Sequence, residues 1–199
     1  MVGLRYCVIR MLLVYPVLLL AQVISHTETY ENGNIKSIYY HQKIGNVIKK
    51  VKYEEFFENG NKYRSGLFKN DKKSGLWIEW NQDGRKISEG TYKDGKRDGF
   101  WMGWYGNGKK QGEVTWLDGI ENGLWVIWHE NGQKMREINW GEGKRDGKCL
   151  EWHKNGIKKL EGYWRNGDKD GKWKYWNDNG EIIKEEIHEG GKMKIEKWY

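Results

Sequence analysis

One recurrence limits what this chain can fold into more than any other feature. The pattern Gly-x-Trp-x-x-Trp-x-x-Asn-Gly returns every 24 residues, at Gly75 (GLWIEWNQDG), Gly99 (GFWMGWYGNG), Gly123 (GLWVIWHENG), Gly147 (GKCLEWHKNG) and Gly171 (GKWKYWNDNG). One step earlier, residues 51–60 keep the register with Tyr53 and Phe56 in place of the tryptophans. Tyr30-Glu31-Asn32-Gly33 repeats the turn after a step of 27, and residues 195–199 begin another unit. Counted from the leading glycine, position +2 carries Trp77, Trp101, Trp125 and Trp173, with Cys149 as the exception. Position +5 carries Trp80, Trp104, Trp128, Trp152 and Trp176. Position +17 carries Phe68, Tyr92, Trp116, Trp140 and Trp164, then His188. Twelve of the 13 tryptophans fall in these three columns, so the architecture itself places the rings.

Two turn signals punctuate each unit. Asn-Gly or Asp-Gly stands at +8/+9, ending in Gly60, Gly84, Gly108, Gly132, Gly156 and Gly180. A second set stands at +19/+20: Asp94-Gly95, Asp118-Gly119, Asn166-Gly167 and, more loosely, Glu142-Gly143. Both dipeptides tolerate the positive φ of a tight type I′ hairpin turn. Strands of roughly 5–8 residues fit between the turns, and glycine recurs too often for helix. The chain is therefore expected to be all-β, an elongated antiparallel β-meander in which each 24-residue unit is one β-hairpin. A parallel β-helix is the rival, but it needs no hairpin turn twice per unit. Positions +2 and +5 differ in parity and so face opposite sides of a regular strand. Either both faces carry rings, or a bulge near the glycine brings them to one side.

The rings do most of the burying, since only four Val and six Leu follow residue 25. A buried ring removes about 150–250 Å² from water, roughly 4–6 kcal/mol before entropy. A lone hairpin cannot offset its chain entropy with that, so neighbours must stack. Trp77, Trp101, Trp125 and Trp173, with the turn glycines Gly84, Gly108, Gly132, Gly156 and Gly180, are read as structural. Trp80, Trp104, Trp128, Trp152 and Trp176, with Arg97 and Arg145, are the candidate binding residues.

Residues 1–25 differ from the rest. They hold Arg5 and Arg10, no Lys or acid, and then an apolar run over residues 11–24 broken only by Gln22. A basic start followed by such a run is the signature of a secretory signal peptide; the alternative is a membrane anchor over residues 8–24. Cleavage is expected after Ser25 or after Ala21. Loss of both arginines would lower the net charge from +7 to +5. Residues 26–50 then form an atypical N-terminal repeat, and residues 51–199 the regular array. With Cys7 in the leader, Cys149 stands alone in the body, so no internal disulfide is expected.

The run Gly-x-Trp-x-x-Trp-x-x-Asn-Gly, then an acidic-Gly-x-aromatic stretch (Glu89-Gly90-Thr91-Tyr92, Glu161-Gly162-Tyr163-Trp164), then Asn/Asp-Gly-x-x-x-Gly resembles the MORN-variant repeat. The resemblance covers residues 51–199, with departures at Cys149, at Val51 and at Asp71-Lys72. It implies an antiparallel β-array used for binding, as a scaffold or membrane-associated module, with antitoxin-like bacterial proteins among its bearers.

Chemistry is sparse by comparison. Equivalent side chains of successive units lie two strands apart, roughly 10 Å. His129 and His153, both at +6, therefore cannot share a zinc ion that needs each nitrogen within about 2.1 Å. Repeated carboxylates such as Glu79 and Glu151 fail as a catalytic pair for the same reason, and Glu130 beside His129 reads as a turn residue. No phosphate-loop, dinucleotide or nucleophile-elbow motif occurs. Cys149 replaces a core ring and is expected to be an inert buried thiol. Lys and Arg recur after the turns (Arg85-Lys86, Lys96-Arg97, Lys109-Lys110, Lys144-Arg145, Lys158-Lys159). Such rows suit an acidic protein or an anionic lipid surface. The resulting expectation is a non-catalytic, exported module that binds a protein of unknown identity, without metal, cofactor or nucleic acid. An antitoxin or immunity role and binding to an anionic membrane surface are the alternatives.

Overall fold

The computed structural model describes residues 23–199 together with the short strand β1 (Tyr6–Val8). The expected leader and the alternative anchor over residues 8–24 lie outside the described residues, apart from β1 and Val23–Ser25. Every regular element among the described residues is a strand. The chain divides into two compact units, Met1–Lys96 and Arg97–Tyr199.

In the first unit, β1 pairs with β2 (Val23–Thr29), and β3 (Ile35–Ile44), β4 (Val47–Phe56), β5 (Lys62–Lys69), β6 (Lys72–Trp80) and β7 (Lys86–Lys93) follow. Each is antiparallel to the one before it. In the second, β8 (Lys96–Trp104) pairs with β9 (Lys110–Leu117), which meets β10 (Ile120–Glu121) and β11 (Gly123–Trp128). β12 (Lys134–Gly141), β13 (Lys144–Trp152), β14 (Lys158–Arg165), β15 (Asp168–Trp176), β16 (Ile182–Glu189) and β17 (Lys192–Trp198) continue the antiparallel order. The expected meander of sequential hairpins is what the chain forms.

The two turn sets differ in kind. At +19/+20 both residues have positive φ, as at Asp94 (50°) and Gly95 (86°), which is the type I′ pattern. Asn70 and Asp71 adopt it without a glycine, at 50° and 59°, so the missing turn glycine there costs the hairpin nothing in shape. At +8/+9 only the glycine has positive φ. Phe57 N–H donates to Asn61 O while Gly60 N–H donates to Phe57 O. That is a type I turn closed by a glycine bulge, a correction to the type I′ expectation there. The asparagine acts through its side chain instead: Asn131 Oδ1 accepts from Gln133 N at 3.0 Å and Nδ2 donates to Lys154 O of the next unit at 2.6 Å.

Each leading glycine also has positive φ, from 65° at Gly171 to 114° at Gly147, and the pairing to the preceding strand shifts beside it. From the glycine to +4 the pairing with the next strand is regular: Cys149 faces Gly162, Leu150 faces Glu161 and Glu151 faces Leu160. The register shift at +4/+5 falls on the partner strand, where Trp152 pairs with Lys158 and Lys159 is the extra residue, so β13 keeps its alternation. Positions +2 and +5 therefore lie on opposite faces, and both faces of the sheet carry aromatic columns.

On one face the +2 and +17 rings interleave. Trp116, Trp125 and Trp140 follow one another at centroid distances of 5.3 and 5.1 Å, close to the strand spacing. In the first unit Phe68 and Tyr92 flank Trp77 at 5.4 and 5.9 Å. The seat under Trp77 and under Trp173 is position +15 of the preceding strand. A Cβ at Gly66 would stand 2.2 Å from the Trp77 ring, and one at Gly162 would stand 2.2 Å from the Trp173 ring. Glycine is required there because the indole lies directly on the backbone. Where +15 is Ile138, the facing +2 residue is Cys149, and both are buried. Cys149 is thus the small partner of a large seat, not a lapse in the repeat. Val114 is the case with both members large: Trp125 is only half-buried, and the strand carrying it is interrupted between β10 and β11 at Asn122.

This volume matching is testable by urea unfolding. Gly162→Ala is expected to destabilise the protein by about 1–3 kcal/mol through overpacking against Trp173. Cys149→Trp alone should do the same against Ile138. The double variant Ile138→Gly/Cys149→Trp should recover most of the loss, with a coupling of about 1–3 kcal/mol. Additive effects of the two substitutions would refute the pairing.

Candidate interaction surface

The opposite face carries the +5 tryptophans, and each one described below is half-buried beneath a lysine. Position +11 of one unit places its ammonium over the +5 ring of the next. Lys110 lies 5.5 Å from the Trp128 centroid, Lys134 5.7 Å from Trp152 and Lys158 5.3 Å from Trp176. Lys62 stands over Trp80 in the same way in the first unit, at 5.7 Å. The lysine at +11 is held in turn by the glutamate at +14. Lys134 meets Glu137 at 2.5 Å, Lys158 meets Glu161 at 2.7 Å, and Lys110 pairs with Glu113. The motif on this face is therefore an indole, an ammonium and a carboxylate, repeated along the array. Each cation–π contact contributes about 0.5–1 kcal/mol at such partly exposed sites.

Arg97 and Arg145 are on the other face, at +22. Arg97 stacks over Trp101 and Trp116 at 4.4 and 5.2 Å. Arg145 spans Trp140 and Trp164 at 5.8 and 4.9 Å, the two rings on either side of Cys149. Lys73 and Lys169 occupy the same position over Trp77 and Trp173. The two candidate arginines are thus bound up with the aromatic column and do not join the +5 tryptophans in one site. Trp77, Trp101 and Trp173 are buried, Trp125 half-buried, and Gly84, Gly108, Gly132, Gly156 and Gly180 close the +8/+9 turns.

The histidines at +6 serve the repeat. His129 Nε2 lies 3.0 Å from Trp152 O and His153 Nε2 2.9 Å from Trp176 O. A carbonyl only accepts, so these nitrogens carry the proton. Tyr105 Oη does the same job at Trp128 O, at 2.6 Å. Among the described residues no group of His, Cys, Asp and Glu is placed to hold a metal ion. Cys149 is buried, and burial pushes its thiol up, which lowers its reactivity.

Sequence reasoning missed what accompanies the tryptophans. Residues +1, +3 and +5 share a face, so β8, β11 and β13 present the rows Phe100-Met102-Trp104, Leu124-Val126-Trp128 and Lys148-Leu150-Trp152. Thr115 and the Lys110–Glu113 pair of β9, and Asn139 and the Lys134–Glu137 pair of β12, lie between them. Phe100 and Leu124 are 50% and 48% exposed. Towards the C-terminus positions +1 and +3 become Lys148, Lys172 and Lys174, which pair with Glu161 and Glu185. The second unit therefore bears apolar, aromatic rows with lysine–glutamate pairs between them and at their C-terminal side. A period-2 reading of +1 and +3 beside the +5 column was the available signal.

Two buried carboxylates stand where the repeat has apolar residues or glycine. Glu54, at +3, accepts from Tyr40 Oη and Lys62 Nζ at 2.7 Å each, and Lys52 stands at 3.2 Å. Burial alone would raise its pKa, but these hydrogen bonds outweigh it and hold the carboxyl at about 2. Burial and the carboxylate push the Tyr40 hydroxyl up to about 12. Glu186, at +15, is surrounded by Lys169, Lys184, Tyr175 and His188, at 2.8, 2.5, 2.7 and 3.0 Å. Burial again opposes ionisation, and the four donors hold the carboxyl far below the ordinary range.

Tandem antiparallel hairpins, stacked through indole columns on one face and showing apolar rows divided by charge pairs on the other, define a β-meander repeat protein. The sequence profile described as the MORN repeat variant matches residues 121–140 and 169–189, so the chain carries MORN-variant repeats. Such repeats are protein- or membrane-interaction modules without catalytic machinery of their own. The match reaches the repeat and no subfamily within it. No curated protein matches the chain.

Glu54 gives a pH prediction. Its pKa falls from 4.5 in the unfolded chain to about 2 in the fold, so its contribution is complete above pH 4.5 and disappears as pH falls towards 2. Thermal melts of the wild type are expected to lose more stability over that window than melts of Glu54→Gln. Parallel curves for the two would show that the carboxylate is not preferentially ionised in the fold.

Proposed function

We propose that this protein is an exported, non-catalytic interaction module that docks a protein partner on the apolar face of its second unit. The supporting observation is the set of rows formed by Phe100, Met102, Leu124 and Leu150 beside Trp104, Trp128 and Trp152, with Val126 buried among them. The composition of these rows, rich in Trp, Phe and Met, is that of an interface centre, and the charge pairs of β9 and β12 run between them. The neighbouring lysines are neutralised by the +14 glutamates, which favours a partner recognised by shape and apolar contact. Export is supported by the composition of residues 1–25.

The test is affinity capture from the native host with the wild type and with Phe100→Asp and Leu124→Asp. Both side chains are half exposed, so the variants are expected to fold with unchanged melting temperature. A specific partner should be retained by the wild type and reduced about tenfold or more by either variant, since a centrally buried anchor is typically worth 2 kcal/mol or more. Equal capture by all three would remove the patch from consideration.

A further inference from the structure

The +8/+9 turns share one backbone form: the N–H of Gly60, Gly84, Gly108, Gly132, Gly156 and Gly180 each donates to the carbonyl at +6. Their +8 side chains are not held alike. At Asn59, Asn107, Asn131 and Asn155 both ends of the amide are tied. Oδ1 accepts from the +10 N–H at 2.9–3.0 Å, and Nδ2 donates to a carbonyl of the next repeat at 2.6–3.1 Å. Asn179 is as exposed as these four, but among the described residues its side-chain amide forms no hydrogen bond.

The residue at +6 causes the difference. Tyr105, His129 and His153 reach out to the +5 carbonyl of the next repeat, which leaves the +10 N–H of their own turn to the asparagine at +8. Asn177 is shorter and folds back onto its own turn, as asparagine readily does. Its Oδ1 accepts from Asn179 N at 3.1 Å and from Glu181 N at 2.9 Å, while Nδ2 donates to Glu181 Oε2 at 2.8 Å. The +10 donor is thereby taken, and the Asn179 amide is left loose. Asn81 engages Asp83 N and Arg85 N in the same way, at 3.1 and 2.9 Å. Position +8 of that turn is an aspartate, so this version of the turn already accommodates a carboxylate.

From this we infer that Asn179-Gly180 is a site of spontaneous deamidation, while Asn59, Asn107, Asn131 and Asn155 are protected by the fold. The Gly180 nitrogen attacks Asn179 Cγ. The new C–N bond closes a cyclic imide as the Cγ–Nδ2 bond breaks, and ammonia leaves with the proton that the Gly180 nitrogen gives up. Water then opens the imide at one of its two carbonyls, leaving aspartate or, with the backbone rerouted through the side-chain carbon, isoaspartate. Glycine at +9 sets no Cβ in the path of the attack. Ring closure needs the amide to turn over the following peptide bond, so an amide bonded at both ends must first give up both bonds. The glycine N–H is engaged alike in all these turns, and the side-chain amide therefore sets the order of reaction. The aspartate product reproduces the turn at Asp83 and removes one unit of the net positive charge. The site is separate from the protein-docking rows.

Peptide mapping by mass spectrometry tests the inference on the folded full chain, held in mildly alkaline buffer and sampled over days. Each site is its own clock, because deamidation makes its peptide heavier by one mass unit. The expected result is that residue 179 converts at least about fivefold faster than residues 59, 107, 131 and 155, whose amides are tied twice. In strong denaturant the five rates should converge. Exchanging +6 residues that the array already uses supplies a second readout, with thermal melts to confirm folding. Asn177→His removes the competitor for Glu181 N and should slow Asn179 by about threefold or more, whereas His153→Asn should speed Asn155 by a similar factor. Residue 179 reacting no faster than the other four in the folded chain would overturn the inference. So would an advantage at residue 179 that persists in denaturant, or rates untouched by both exchanges.

Discussion

The contact on which the structure depends is that of an indole face lying on the backbone of the strand before it. Trp77 over Gly66 and Trp173 over Gly162 leave less than a methyl group of space. A sheet of single hairpins has no second layer to complete a core, so apolar area must be found within the sheet itself. Laying the largest side chain onto the smallest residue achieves that, and it adds side-chain packing to the backbone ladder that joins the paired strands. The interleaved +17 rings then extend the contact along the column, and the cations at +22 cover its rim.

That arrangement frees the reverse face for other work. There the rings are fewer, separated by two strands, and held apart by lysine–glutamate pairs. A face so built is stiff, patterned and only partly apolar. Its exposed leucines and phenylalanine can be replaced without touching the packed column. Recognition and stability are therefore assigned to opposite sides of one layer.

Much of this was legible in the chain. The strict period placed the strands, because hairpin turns recur at fixed offsets and only rings of this size could bury enough surface. The role of Gly162 within its acidic-Gly motif was not, since a glycine in a strand gives no sign of what lies over it. Cys149 read as a departure because its partner Ile138 is eleven residues away in a different unit. Arg97 and Arg145 appeared as surface charges because cation stacking needs ring positions from two strands at once. The side assignment of +2 and +5 was open until the bulge at each leading glycine was located ahead of both.

The matched seats at the joints between neighbours also bear on how such an array can change. Residue 138 suits residue 149, and residue 162 suits residue 173, but exchanging members would set isoleucine under tryptophan or leave a void above glycine. The heritable module is consequently the joint, running from the second half of one hairpin into the first half of the next. Duplications or deletions that break within a joint would be selected against, while those that carry whole joints would pass.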